Sequence, residues 1–267
     1  MAMLELKNVN KTFNLGTINE KHVLKDLNLA MEEGDFVTVI GGNGAGKSTM
    51  LNAIAGIWPI DSGAILVDGE NITGLPDYKR APYIGRVFQD PMMGTAPDMQ
   101  IGENLALAAR RGKKRGLKWG FSKKEAETYR ESLKMLDLGL EDRITQKVGL
   151  LSGGQRQAVT LLMASYQNPK LLLLDEHTAA LDPKTARKVL DLTRQIVENQ
   201  HLTALMVTHN MKDAIATGNR LIMMYEGHII FEAKGEEKKK LTVDNLMKKF
   251  SEAAGEEFVD DQSLLNK

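Results

Sequence analysis

The chain has 267 residues, no cysteine, and 35 Lys and Arg residues against 35 Asp and Glu residues, so its formal net charge is zero. A neutral chain creates no overall field that would attract nucleic acid or a membrane surface, and the lack of cysteine excludes disulfides and a cysteine nucleophile. No apolar stretch reaches the roughly 18 residues of a membrane-spanning helix, and the first residues lack the pattern of a secretory signal. We therefore expect any membrane role to depend on partner proteins.

The first informative element is a short apolar strand predicted at residues 36–40, which leads directly into a glycine-rich loop. The loop reads Gly41-Gly42-Asn43-Gly44-Ala45-Gly46-Lys47-Ser48 and fits the phosphate-binding pattern G-x-x-x-x-G-K-[ST]. Apolar residues at helical spacing follow it, so strand, loop and helix N-terminus come in the required order. Backbone N–H groups and the helix dipole would bind phosphate oxygens there. Lys47 would reach the β- and γ-phosphates, and the Ser48 hydroxyl would ligate Mg²⁺.

The pattern becomes helical from about residue 91 to residue 155. The apolar residues at helical spacing are Ile101, Leu105, Leu107 and Ala108, followed by Tyr129, Leu133, Leu136 and Leu138. The region contains a basic stretch at residues 110–124, which we interpret as a solvated insertion or a surface that attracts anionic lipid. It ends in the run Leu151-Ser152-Gly153-Gly154-Gln155, called here the signature segment.

Strand-like runs return at residues 171–174, 205–207 and 221–224 and are separated by helical segments. This alternation predicts parallel βα units. The first run consists of four leucines followed by Asp175 and Glu176, which indicates a buried strand whose tip presents two carboxylates. Residues 236–267 are charge-rich and predict a short tail, either a docking helix or a frayed end.

The P-loop at residues 41–48, the signature segment and the acidic strand end together resemble the ATP-binding-cassette (ABC) ATPase family, in the family's order, over roughly residues 4–235. The resemblance implies an α/β fold: a P-loop NTPase core with a parallel or mixed sheet, an N-terminal antiparallel β subdomain and an inserted helical lobe. Residues 1–235 would form a single ATPase domain. Its core would comprise residues 1–90 and 156–235, and its helical lobe residues 91–155, followed by the tail.

The resemblance also implies roles for residues outside the P-loop. Asp175 would hold Mg²⁺ as a hard oxygen ligand, and Glu176 would act as general base toward the attacking water. Gln89 matches the family's Q-loop glutamine and would contact Mg²⁺ and that water. His209 matches the switch histidine that hydrogen-bonds the γ-phosphate, and Asp182 lies in a segment that resembles the D-loop at the dimer interface.

In this family the signature segment of one subunit closes over a nucleotide held by the P-loop of another. The resemblance therefore implies a homodimer around two ATP molecules, with a heterodimer as the alternative. Phe13 matches the position of an adenine-stacking aromatic residue, and stacking of this kind also accepts guanine. The residues expected to contact nucleotide are Phe13, Gly41, Asn43, Gly44, Ala45, Gly46, Lys47, Ser48, Thr49, Gln89, Ser152, Gly153, Gly154, Gln155, Asp182 and His209.

The expected function is an ATPase subunit that drives a membrane transporter through separate permease subunits at the cytoplasmic face of the membrane. An extracellular substrate-binding protein would be an indirect partner, and nucleic acid would not be one. About 100 residues separate Ser48 from Leu151, too few for the long coiled coils of chromosome-associated members. Import of a small solute such as an amino acid is the first hypothesis; an exporter ATPase and a single-cassette assembly or remodelling ATPase are the alternatives.

Three methionines follow Gln89 closely. Met92, Met93 and Met99 are unbranched and adaptable, as suits a surface that grips a partner helix through a conformational change. The hypothesis is that they line a docking groove for a permease helix, with ordinary core packing as the alternative.

Overall fold

The computed structural model describes residues 2–113 and 120–254. Residues 255–267 of the predicted tail and residues 114–119 of the basic stretch lie outside the described part. The strands are β1 Ala2–Phe13, β2 Lys21–Glu32, β3 Phe36–Ile40, β4 Ser62–Val67, β5 Glu70–Asn71, β6 Ile84–Val87, β7 Leu171–Asp175, β8 Ala204–Val207, β9 Arg220–Tyr225 and β10 His228–Lys234. The α-helices are α1 Lys47–Ala55, α2 Asp77–Arg80, α3 Ile101–Ala109, α4 Lys123–Lys134, α5 Gly153–Ser165, α6 Pro183–Asn199, α7 Met211–Ala216, α8 Gly235–Lys239 and α9 Val243–Ala254. Two short 3₁₀ turns lie at Glu141–Arg143 and Val148–Leu150.

An antiparallel sheet of four strands, in the order β2-β1-β4-β5, forms the N-terminal part. Leu4 and Leu6 of β1 are buried, whereas Glu5 between them is partly exposed, as the two-residue period of a half-covered sheet requires. These leucines share one apolar cluster with α1 and with inward-facing residues of β3 and β7. The antiparallel subdomain predicted from the sequence is therefore confirmed, and it packs against the helix that follows the P-loop.

A second sheet has six strands in the order β10-β9-β3-β8-β7-β6, parallel except for the last hairpin of β9 and β10. Every residue of β3 and β8 is buried, and so are the four leucines of β7. A parallel sheet with both faces covered by helices needs such continuous apolar strands. The predicted α/β core is confirmed, and the carboxyl ends of β3, β7 and β8 meet at one edge of the sheet.

Helices α3 and α4 lie in the region that was predicted to be helical, and α5 begins at its end. Most of its predicted apolar residues are buried in one cluster that continues to β6, β7 and α6. Leu138 is only partly buried, Ala108 is buried outside this cluster, and Leu107 remains 37% exposed and lines a surface groove. The limits of the lobe at residues 91 and 155 stay a prediction.

The described part of the predicted tail is folded onto the core. Leu246 and Phe250 of α9 are buried against β9, and the Phe250 ring lies edge-on to Tyr225 with 5.6 Å between centroids. Lys238 of α8 is also buried and donates to the backbone carbonyls of Thr217 and Gly218. The described part of the tail thus packs against the core, because α9 carries an apolar stripe at helical spacing. Among residues 2–113 and 120–254, no helix is both long enough and apolar enough to cross a bilayer.

Candidate nucleotide-binding site

The P-loop joins the carboxyl end of β3 to the N-terminus of α1, as the sequence predicted. Lys47 is the first residue of α1 and is only 5% exposed. Its Nζ donates to the carbonyls of Gly41 at 2.7 Å and Gly42 at 2.9 Å, so the side chain curls back over the loop. The ammonium is thereby held at the helix N-terminus, where the exposed N–H groups and the helix dipole favour an anion.

At two glycines of this loop, neighbouring atoms leave no room for a Cβ atom. A Cβ on Gly41 would lie 2.2 Å from the backbone oxygen of Met224, and Gly41 has φ of 152°. Gly46 has φ of 98°, and a Cβ there would lie 3.0 Å from Val23 and Leu24 atoms. No other residue type fits either position, because backbone packs directly against the loop. Glycine at these positions therefore lets β9 and β2 pack directly against the loop.

Glu176 and His209 meet beyond the ends of the neighbouring parallel strands β7 and β8. The Glu176 backbone has φ of 45°, a left-handed conformation that is uncommon outside glycine and often marks functional positions. Glu176 Oε1 lies 2.6 Å from His209 Nε2, and the Glu176 side chain is only 12% exposed. The structure therefore brings together two residues that stand 33 positions apart in the sequence, in the geometry that a general base and its orienting partner require.

Asp175, the last residue of β7, forms an ion pair that the sequence analysis missed. Burial raises the pKa of the Asp175 carboxyl, and the Arg86 guanidinium opposes that rise. Nη2 of Arg86 lies 3.1 Å from Oδ2 of Asp175. Burial lowers the pKa of Arg86, and Asp175 opposes that shift. A sequence signal existed, since Arg86 is a lone charge inside the apolar run at residues 84–88.

A second residue that the sequence analysis missed, His177, helps to hold Glu176 in place. His177 is 2% exposed, and burial lowers the pKa of its imidazole from 6.5 to about 4, so the ring is neutral. Its Nε2 lies 2.9 Å from the hydroxyl oxygen of Thr193 on α6. Because that hydroxyl donates to the carbonyl of Val189, we assign the Nε2–H of His177 as the donor to Thr193. The bond ties the turn that carries Glu176 to the buried face of α6.

A polar cleft of about 270 Å³ lies between the P-loop and the Glu176–His209 pair. It is lined by Lys21, Val23, Asn43, Gly44, Ala45, Gly46, Lys47, Ser48, Thr49, Glu176 and His209. Lys21 and Val23 were not predicted, because nothing in the local sequence of an antiparallel strand points to a distant loop. Six of the P-loop residues expected to contact nucleotide do line this cleft, together with Thr49 and both members of the Glu176–His209 pair.

The donor set of the cleft suits a magnesium nucleotide. Ser48 lines the cleft and offers an exposed hydroxyl in the first turn of α1, and Asp175, which lies outside the lining set, offers a carboxylate at the end of β7. Within the described residues, no three His, Cys, Asp or Glu side chains form a metal cage. Mg²⁺ does not need one, since it keeps several waters and takes one or two protein oxygens together with substrate phosphates. Ser48 and Asp175 would be those ligands.

The signature segment lies at the packing contact between α5 and α6. Ser152 caps α5: its Oγ accepts from the Gln155 N–H at 3.3 Å, and its own N–H donates to Gln155 Oε1 at 3.1 Å. A Cβ on Gly154 would lie 2.1 Å from the Thr185 methyl group, so a glycine is also needed for helix packing within one protomer. None of the signature residues lines the cleft described above, and their contact with nucleotide stays a prediction.

Gly41, Asp175 and three further predicted residues lie outside that lining set as well. Gln89 follows β6 and is exposed. Phe13 ends β1, where its ring lies edge-on to Trp58 with 5.0 Å between centroids. Asp182 caps α6, and its Oδ1 accepts from the Thr185 N–H at 3.1 Å. Their roles toward nucleotide and Mg²⁺ stay predictions.

Comparison with known proteins gives consistent matches. A family model described as ABC transporter matches residues 24–179. A tyrosine transport ATP-binding protein of Clostridioides difficile (strain R20291) is 45% identical over 251 residues, covering 94% of this chain and 100% of that protein. The spermidine/putrescine import ATP-binding protein PotA of Haemophilus influenzae (strain 86-028NP) is 35% identical over 228 residues, covering 85% of this chain but 56% of that longer protein.

Solved structures agree with the fold. A dimeric ATP-binding cassette, MJ0796, in a post-hydrolysis state bound to ADP and Pi, superposes with a TM-score of 0.74 at 35% identity, covering 87% of this chain and 98% of that one. The ADP conformation of a second cassette of an ABC transporter, MJ1267, gives a TM-score of 0.77 at 28% identity, covering 96% of this chain and all of the other.

Proposed function

The chain belongs to the ABC transporter family as an ATP-binding subunit with ATPase activity, and on that premise we propose that it powers import of a small solute, such as an amino acid, through separate permease subunits. The observation that carries the proposal is the cleft that sets the P-loop opposite the Glu176–His209 pair. Phosphoryl transfer asks a protein mainly for positioning and charge stabilisation. This cleft supplies both.

The residues divide the hydrolytic work as follows. Lys47 and the N-terminus of α1 bind the phosphates. Glu176 takes the proton of the attacking water. His209, whose Nε2 lies 2.6 Å from the Glu176 carboxylate, orients that carboxylate and reaches the γ-phosphate. When bound, Mg²⁺ would neutralise charge on the phosphate oxygens. Ser48 and Asp175 would hold that ion.

The separation of the signature segment from the cleft supports a dimeric active unit. Within one protomer this segment begins α5, which packs against α6, and none of its residues lines the cleft. The N-terminus of α5 in a second copy would complete the cleft with N–H groups. The dimeric cassettes among the structural neighbours support this arrangement. Two identical sites in a homodimer are the simplest form.

A surface groove of about 420 Å³ supports a permease as the partner. It lies between β6, α3 and α5, next to Gln89, and its lining includes Phe88, Met93 and Leu107. Met93 is 69% exposed, which suits a side chain that adapts to a partner helix. Met92 and Met99 are not part of this lining, so the docking hypothesis rests on Met93. Through the permease the subunit would sit at the cytoplasmic face of the membrane, with an extracellular substrate-binding protein as an indirect partner.

The cargo is inferred from relatives alone. A relative named for tyrosine transport is 45% identical along its whole length, and a second is named for spermidine and putrescine import. One name describes transport of an amino acid, and the other describes import of small amines. We therefore propose an amino acid, with an aromatic one first.

The test traps the dimer and then identifies its partners. Glu176→Gln keeps the size of the side chain but removes the base, so the variant is expected to bind ATP, stop turnover and form a stable dimer with ATP and Mg²⁺. The matched control is Glu198→Gln, which changes an exposed acid near the end of α6. Size-exclusion chromatography measures the fraction of each variant that is dimeric. Monomers of Glu176→Gln at saturating nucleotide contradict the shared site.

Capture of the tagged Glu176→Gln protein from membranes in mild detergent, with mass spectrometry, tests the transporter role. A polytopic permease supports transport, and a solute-binding lipoprotein in addition supports import. Recovery of soluble partners alone overturns the transporter and favours the assembly ATPase. Loss of radiolabelled tyrosine uptake in cells that lack the subunit, against unchanged uptake of a non-aromatic amino acid, checks the cargo.

A further inference from the structure

The ion pair between Arg86 and Asp175 connects an edge strand to a predicted metal ligand. Arg86 lies in the middle of β6, which pairs in parallel with β7, and its side chain reaches the end of β7. Both side chains are largely buried, with 12% and 15% of their surfaces exposed. A charged pair in this setting interacts more strongly than one on the surface. The acid expected to bind Mg²⁺ is therefore already paired with the positive charge of Arg86.

The guanidinium is held loosely for a buried group. Only Nη2 bonds to Asp175, while Nε and Nη1 are buried and have no hydrogen-bond partner. The Phe88 ring lies 4.6 Å from Cζ and supplies a cation–π contact in place of hydrogen bonds. A bidentate fork is the stronger arrangement for Arg and carboxylate. The pair thus has the geometry of a contact that can be exchanged.

A metal ion and Arg86 compete for the same carboxylate. Oδ2 of Asp175 is the atom that Arg86 occupies, and a divalent cation placed at that oxygen would lie close to a positive charge. Like charges at such distances repel in a site of low dielectric constant. Without Arg86, the carboxylate would instead repel the phosphates of a metal-free nucleotide. Because of both effects, the charge of Arg86 makes nucleotide affinity depend less on the metal ion.

We propose that Arg86 is a positioning residue that holds the Asp175 carboxylate until Mg²⁺ and nucleotide arrive, and that it limits how strongly nucleotide affinity depends on Mg²⁺. This rests on the proposed role of Asp175 as a Mg²⁺ ligand. Arg86 itself touches neither substrate nor metal in this scheme. It acts through Asp175 alone.

The experiment measures affinity for a fluorescent ATP analogue in Mg²⁺ and in EDTA, in the non-hydrolysing Glu176→Gln background. The measured quantity is the Kd in EDTA divided by the Kd in Mg²⁺. Arg86→Gln keeps a hydrogen-bond donor but removes the charge, and is expected to raise the ratio about tenfold. Arg86→Lys keeps the charge and is expected to stay within about twofold of the background. Circular dichroism confirms that each variant is folded, and Arg86→Met, which also removes the charge and is expected to raise the ratio equally, decides the question if Arg86→Gln is not.

Arg111→Gln is the matched control, since Arg111 is another half-buried arginine, bonded to the Ala164 carbonyl and paired with no site residue in the described structure. A ratio for Arg86→Gln equal to that for Arg111→Gln overturns the inference, as does an equally large rise in Arg86→Lys. Asp175→Asn separates the two proposals, because it should bring the ratio close to one. If Asp175→Asn leaves the ratio unchanged, the assignment of Asp175 as a metal ligand fails instead.

Discussion

Replacement of Arg80 should destabilise the domain more than any surface change of similar chemistry. Arg80 ends α2 and is 2% exposed. It donates four hydrogen bonds of 2.8 Å, all to backbone carbonyls: those of Ala53 and Ile54 in the last turn of α1, and those of Thr73 and Leu75. The carbonyls at a helix C-terminus have no partners within the helix. Arg80 therefore anchors the end of the P-loop helix that lies away from the phosphate site.

The magnitude follows from these four bonds. A hydrogen bond to a charged group contributes about 1.5–3 kcal/mol, but the four values do not add in full. Removal of the guanidinium recovers part of its desolvation cost, and water can reach some of the released carbonyls. We expect Arg80→Met to lower the free energy of unfolding by about 4 kcal/mol. Arg80→Lys should lose about 2 kcal/mol, because an ammonium group cannot reproduce the planar fork.

Urea unfolding followed by far-UV circular dichroism at pH 7 measures the effect, with nucleotide left out so that binding does not contribute. Arg130→Lys, at an exposed position of α4, is the control and should stay within about 0.5 kcal/mol of the parent. A loss below about 1 kcal/mol for Arg80→Met would refute the reasoning. In that case the four carbonyls would be satisfied equally well without the guanidinium.

Three further predictions concern single side chains. Lys47→Ala should weaken ATP binding at least about tenfold in a fluorescent-nucleotide titration, since it removes the ammonium at the P-loop; unchanged affinity would remove that role. Thr193→Val leaves the buried Nε2–H of His177 unpaired and should lower unfolding free energy in urea by about 1–3 kcal/mol; a change under about 0.5 kcal/mol would count against this bond. Burial raises the pKa of Tyr129 from 10.0 to about 12, so the folded state keeps this proton to a higher pH than the unfolded state does. The contribution of the protonated phenol to the free energy of unfolding is therefore fully present below pH 10 and is lost as the pH rises through 12. Tyr129→Phe should lack that loss when both proteins are unfolded in urea at pH 9 and pH 11, and parallel losses in both would contradict the assignment.

Much of the site was predictable because its motifs are local. The P-loop needs a buried strand before it and a helix after it, and both are visible as a run of apolar residues and a helical period around residues 41–48. The acids at the end of β7 follow from the same kind of run. Arg86, Lys21 and His177 were missed because their partners lie on other elements of the sequence. Only Arg86 left a trace, as a single charge inside an apolar strand.

The chain by itself determined which residues form strands, helices and turns around the nucleotide cleft, since local periodicity and glycine spacing act over a few residues. Tertiary structure alone decided which of these elements became neighbours. Strand order set β7 beside β8, which brought Glu176 to His209, and set β6 beside β7, which placed Arg86 on Asp175. It also folded α9 onto β9, where a charged tail was expected. Such contacts depend on the burial of apolar faces between distant segments, and no local pattern specifies which faces will meet.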